Sequence, residues 1–104
     1  MPAYQLVVAD DAELDITEAW QWYQERAGLG TAFAGCVGQQ LEFIQRQPFA
    51  TAIVAHGIRR SVVTRFPYNI YFSINGQFVN ILAVWHGSRD QERLLSQIAG
   101  TGSE

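Results

Sequence analysis

The strongest single constraint on this chain is the dipeptide Asn75-Gly76, set between two runs rich in β-branched and aromatic residues. A two-residue type I′ turn needs positive φ at both central positions, and Asn-Gly accepts that at little steric cost. The pair therefore predicts a hairpin joining strands at 69–74 and 77–85. A third such run, 58–64, comes just before, and Pro67 lies in the connection, where its missing amide harms no ladder. Residues 58–90 thus predict an antiparallel meander. Strict alternation puts Val79, Ile81 and Ala83 on one face of the last strand and Phe78, Leu82 and Val84 on the other. A strand apolar on both faces belongs inside its sheet, and a sheet this apolar needs a covering layer.

The upstream segments supply that layer. Residues 4–9 (YQLVVA) predict a strand. Asp10 or Asp11 offers an N-cap for a helix over 11–27, with an apolar stripe at Ile16, Ala19/Trp20, Tyr23 and Ala27. Trp22 lies off the stripe, and Gly28 can close the helix. Thr31 offers a second N-cap for a helix over 32–47, striped by Phe33, Val37, Leu41 and Ile44 and stopped by Pro48. Gly35 and Gly38 weaken that helix by about 1 kcal/mol each relative to alanine, which predicts close contact in an antiparallel helical hairpin. A short strand is expected at 53–55. A short last helix over 89–98 frays into a tail at 96–104. Residues 1–104 form one domain with its core in 4–95, as the length and the 48% apolar content allow.

Charge limits the function classes. The formal charge is −3 and every one of the seven cations is arginine. Residues 1–52 carry two arginines against seven carboxylates (net −5), and residues 53–104 carry five against three (net +2). Gripping a nucleic-acid backbone requires a positive excess, which this chain lacks, so sequence-specific nucleic-acid binding is not expected. The single cysteine, Cys36, cannot form an internal disulfide, and no apolar run reaches membrane-span length. A cytoplasmic protein is the expectation. Two histidines and one cysteine give no metal-ligand spacing, no phosphate loop is present, and no cofactor is expected.

The segments DITEAWQWYQE, GLGTAF, IRRSVVTRFPYNIYF and ILAVWHGSRD, in that order, resemble the RelE/ParE superfamily of toxins from type II toxin–antitoxin systems, and within it the ParE-like branch of plasmid stabilisation proteins. The resemblance spans about residues 4–95. It implies an α+β fold in which an N-terminal strand and a two-helix hairpin pack on a twisted antiparallel sheet, with a short C-terminal helix. It implies a cognate antitoxin, ParD-like and of ribbon-helix-helix type, whose C-terminal segment wraps the toxin. Two activities come with it: ParE-like members block DNA gyrase, and RelE-like members cleave messenger RNA in the ribosomal A site. Gln91 departs from the pattern, which usually has proline after the Arg-Asp pair.

Metal-independent RNA cleavage needs a base, cations around the pentavalent phosphate, and an acid for the leaving oxygen. With no lysine and no tyrosine after Tyr71, the candidates are Arg59, Arg60 and Arg65 as phosphate clamps and His86 as acid or base. The same residues, with Arg89 and Trp22, are candidates for docking a target or antitoxin. Each has a plainer reading. His86 can cap its strand, paired with Asp90. Arg59 and Arg60 point to opposite sheet faces and can pair with the acidic first helix. Asp90 can cap the last helix. Phe66, Tyr68, Tyr71 and Phe72 suit a core better than base stacking. Cys36 suits inert packing, and His56 has no role. Trp22 is the expected exposed anchor. The scarcity of proton-transfer groups favours an inhibitor that docks over an enzyme that cuts. The alternatives are a RelE-like endoribonuclease and a non-toxic homologue kept as the antitoxin's partner. An acidic and apolar antitoxin segment is expected over the hairpin and the sheet edge near Arg59 and Arg65.

Overall fold

A computed structural model describes residues 4–102, with side chains through Ile98. The strand β1 (Gln5–Val8) leads into the helices α1 (Asp10–Ala27) and α2 (Gly30–Arg46). A single 3₁₀ turn, Pro48–Ala50, is followed by β2 (Ala52–Ala55), β3 (Ile58–Val62), β4 (Tyr68–Asn75), β5 (Phe78–His86) and α3 (Gln91–Gly102). The tail expected over 96–104 overlaps α3 as far as Gly102; residues 103–104 lie outside the described ones. The five strands form one sheet in the order β1-β5-β4-β3-β2. The meander is antiparallel as expected, but β1 joins β5 in parallel, so the sheet is mixed.

The core has two parts, one on each face of the sheet. On one face α1 and α2 cover Val79, Ile81, Val84, Ile70 and Phe72, with Phe33, Val37 and Ile44 of α2 fully or almost fully buried. On the other, Leu94 and Leu95 of α3 close over Ile58, Tyr71 and Ala83. Strict alternation along β5 fails here. Tyr71 pairs with Ala83 and Phe72 with Ile81, which leaves Leu82 as the extra residue of a β-bulge. A bulge resets the alternation. Val84 therefore joins Val79 and Ile81 under the helices, while Ala83 turns to α3.

The turns also differ from expectation. Asn75 is the last residue of β4, paired with Phe78, so the hairpin loop is Gly76-Gln77. Gly76 carries a positive φ of 61° and Asn75 does not. That pattern belongs to a type II′ turn, which needs glycine only at its first central position. The two-residue loop with positive φ at both positions is His56-Gly57 (53° and 75°), joining β2 to β3.

Helix entry is set by backbone geometry. Ala9, not an aspartate side chain, occupies the N-cap of α1, and Asp10 and Asp11 sit inside the first turn, where they favour the positive end of the helix. Leu29 caps α2, so Thr31 is helical. Ala12, Ile16, Ala19 and Tyr23 form the inner stripe of α1, and its two alanines let the helix lie close to the sheet. Close contact in the hairpin falls at Gly30, not at Gly35 or Gly38. A Cβ on Gly30 would meet Gln24 Oε1 at 2.6 Å and the Trp20 indole at 2.8 Å, whereas one on Gly35 or Gly38 would meet nothing within 4 Å. The Gly30 amide also donates to Gln24 Oε1. Gly35→Ala is therefore expected to raise stability by about 1 kcal/mol through helix propensity. Gly30→Ala is expected to lower it by about 1–2 kcal/mol through overpacking against Trp20. Urea unfolding of the two variants checks the opposite signs.

Candidate functional site

The bulge shapes the site as well as the core. Past Ile81, whose carbonyl accepts from the Ala9 amide, β1 has turned away into α1 and the edge of β5 is open. Asp15 fills that gap, its Oδ2 accepting from the Val84 amide at 3.0 Å. Burial raises the Asp15 carboxyl above the ordinary aspartate value, and the Val84 bond and the Arg89 charge oppose the rise. Glu18 and Asp11 add to the rise. Asp15 stands next to the apolar stripe of α1, one residue before Ile16 and three after Ala12, and an acid in that position is a signal the sequence carried.

Asp15 and Glu18 form one wall of a cleft of about 380 Å³ between α1 and the end of β5. Trp22, Tyr23 and Tyr68 give it aromatic walls, and His86, Ser88 and Arg89 close it. Tyr68 meets His86 edge to face at 5.2 Å. Behind it, Tyr23, Phe33 and Phe66 form an aromatic cluster that joins both helices to β4. Burial, and then the neighbouring Tyr23, hold the Tyr68 hydroxyl above the ordinary tyrosine value, so it remains protonated at neutral pH. His86 Nδ1 accepts from the Ser88 amide at 3.0 Å and contacts Ser88 Oγ at 2.8 Å. The amide can only donate, which assigns the ring proton to Nε2. His86 is thus a hydrogen-bonded strand end, as in its plainer reading, but its partners are Ser88 and Tyr68 and not Asp90. Asp90 Oδ1 accepts from the amides of Glu92 and Arg93 and caps α3.

Of the sequence candidates, this cleft brings together only His86, Arg89 and Trp22. The Arg89 guanidinium carbon lies over the Trp85 ring, 3.5 Å from its centre. Trp22 is 49% exposed, with Arg26 stacked on it at 4.7 Å. The other arginines are elsewhere. Arg59 donates to the Thr51 carbonyl and stacks on Phe49, beneath the edge of the sheet. Arg60, on the α3 face, donates to Gln91 Oε1 at 2.8 Å, and Tyr71 donates to the same oxygen at 3.1 Å. The glutamine that departs from the family pattern thus pins the start of α3 to the sheet. Neither arginine pairs with the acidic first helix. Arg65 is exposed in the β3–β4 connection with φ 76° and stacks on Phe66. A second, larger groove of about 870 Å³ lies on the α3 face and shares Asp15, Glu18 and Arg89 with the cleft. Among the described residues, no group of three or more histidines, cysteines or carboxylates is placed to hold a metal, and no helix is long and apolar enough to cross a membrane.

As chemistry, the cleft offers a neutral imidazole, a protonated phenol and one guanidinium, set against two carboxylates. A phosphodiester entering it would face Asp15 and Glu18 with Arg89 as its sole cation, which disfavours charge build-up on phosphate. Sequence reading missed Asp15, Glu18 and Tyr68 as site residues.

Scans of family models and of curated proteins find no match. Solved structures do match in fold. A chain of the chromosomal ParDE TA system from P. aeruginosa is similar with a TM-score of 0.72 and 18% identity, covering 80% of this chain and 95% of that one. A chain of the toxin–antitoxin complex RelBE2 from Mycobacterium tuberculosis is similar with a TM-score of 0.59 and 18% identity, covering 83% and 93%. The chain has the RelE/ParE fold.

Because the folded Asp15 holds its proton to higher pH than the unfolded chain does, its contribution to stability is full below the unfolded pKa. It falls as pH rises through the folded value. An asparagine retains an acceptor for the Val84 amide and does not titrate. The stability of Asp15→Asn relative to the parent is therefore expected to rise with pH across the Asp15 titration. Urea unfolding between pH 3 and 7 measures it, with the Val84 amide shift as the titration reporter.

Proposed function

We propose that this chain is the toxin of a type II toxin–antitoxin system of the ParE-like, plasmid stabilisation kind, acting in the cytoplasm. It inhibits DNA gyrase by binding it, and a cognate ParD-like antitoxin neutralises it. The observation that carries the toxin reading is the likeness in fold of 80% and 83% of the chain to chains from a ParDE and a RelBE system. Support for binding over cutting comes from the scatter of the cations. Arg59, Arg60 and Arg65 lie apart from His86, and two of the three are engaged by Thr51 and Gln91. The rival RelE-like endoribonuclease reading has one observation in its favour, the meeting of His86, Tyr68 and Arg89 in one cleft.

Gyrase inhibition is tested by supercoiling of relaxed plasmid with purified chain. The expected result is loss of supercoiling at micromolar protein, retained by His86→Ala. Normal supercoiling at that concentration, with unimpaired growth on expression, contradicts the proposal and favours a non-toxic homologue. Arg65, exposed in the β3–β4 connection, is the candidate cation for meeting an acidic antitoxin segment. Arg65→Glu is expected to slow association with the product of the neighbouring gene and to reduce its salt dependence. Surface plasmon resonance at two ionic strengths measures both, and unchanged kinetics would move that contact elsewhere.

A further inference from the structure

The cleft beside β5 has a composition that a site for phosphate chemistry would not need. Its charged lining is two carboxylates against one guanidinium, and that guanidinium is already stacked on Trp85. Glu18 makes no hydrogen bond or ion pair among the described residues. Asp15 uses one oxygen on the Val84 amide, which leaves the other for a ligand. The facing walls are aromatic, and His86 adds a neutral ring. Aromatic faces beside carboxylates attract cations, by the ring quadrupole and by direct charge. The cleft volume, about 380 Å³, suits one side chain rather than a helix.

We propose that this cleft is a socket for an arginine side chain of a basic partner polypeptide, set against Tyr68 and the edge of Trp22, whose ring already carries Arg26, and held by Asp15 and Glu18. A planar guanidinium fits better than an ammonium, because it can stack on a ring and fork to a carboxylate at once. A polypeptide is a better occupant than free arginine for two reasons. The α-carboxylate of the free amino acid would point toward the adjoining groove, which carries Asp11. The adjoining groove of about 870 Å³, with Leu14, Leu82 and Ile98 in its walls, also offers apolar surface to the residues flanking the arginine. The charge of α1 agrees: six carboxylates against one arginine favour a basic partner. The inference stands on the cleft and does not rest on the toxin reading.

The test is a titration of the ¹⁵N-labelled full chain with acetyl-Ala-Leu-Arg-Leu-Ala-amide, its citrulline counterpart, and free arginine. The Arg peptide is expected to shift the Val84 amide and the Trp22 indole saturably. The citrulline peptide and free arginine should each bind about tenfold more weakly, as loss of charge or of apolar flanks requires. Glu18→Gln and Trp22→Ala, both at the surface, should each weaken the peptide about fivefold, read at Val84, with the remaining spectrum reporting an intact fold. Equal shifts from the citrulline peptide would overturn the proposal. So would no saturable shift with the Arg peptide, or unchanged affinity in both variants. Free arginine binding as tightly as the peptide would overturn its assignment to a polypeptide.

Discussion

The two-sided burial of β5 is the constraint on which the remaining structure depends. That strand is flanked by β1 and β4, roofed by α1 and α2, and covered from below by α3. Both layers need apolar residues from it, and they need them in different phases. The bulge at Leu82 solves this by moving Val84 under the helices and Ala83 toward α3. The same bend comes where β1 departs, so a length of β5 edge is left for Asp15 to satisfy. An unpaired buried amide is costly, and a carboxylate next to the helix stripe is the local remedy. The cleft follows directly: it is the space between a helix carrying an acid inward and a strand that has outrun its neighbour.

The placement of the arginines follows from the sheet in the same way. Neighbours in β3 must face opposite ways, so Arg59 meets the 3₁₀ turn and Arg60 meets α3. The connection from β3 to β4 carries Arg65 out at its tip, and Arg89 follows β5 onto the Trp85 ring. Four guanidinium groups close in sequence are thereby spread over both faces and two ends of the sheet. Concentrated cation chemistry is not what this topology makes from that sequence. Each guanidinium instead finds its own partner within the chain.

Much of the architecture was legible in the chain. The apolar stripes of α1 and α2, the stop at Pro48 and the three meander strands follow from periodicity and turn chemistry. What was not legible depended on tertiary pairing. Period-two alternation cannot reveal one extra residue, so the faces of Ala83 and Val84 were exchanged. The hairpin loop slipped by one residue because Gly76 alone satisfies a type II′ turn, while His56-Gly57, without the usual Asn, took the doubly positive loop. Gly35 and Gly38 looked like contact points, yet only Gly30 lies under Trp20. At the site, arginine and histidine drew attention as obvious chemistry. Asp15 read as one more acid in an acidic helix, although its place beside Ala12, Ile16 and Ala19 set it apart.

Whether the molecule docks or cuts is tested most directly by mapping transcript 5′ ends across cells shortly after the chain is induced. An inhibitor that works by binding gyrase creates no new ends within codons of translated messages, with or without His86. New ends within codons of translated messages, abolished by His86→Ala while the protein remains folded, would contradict the account.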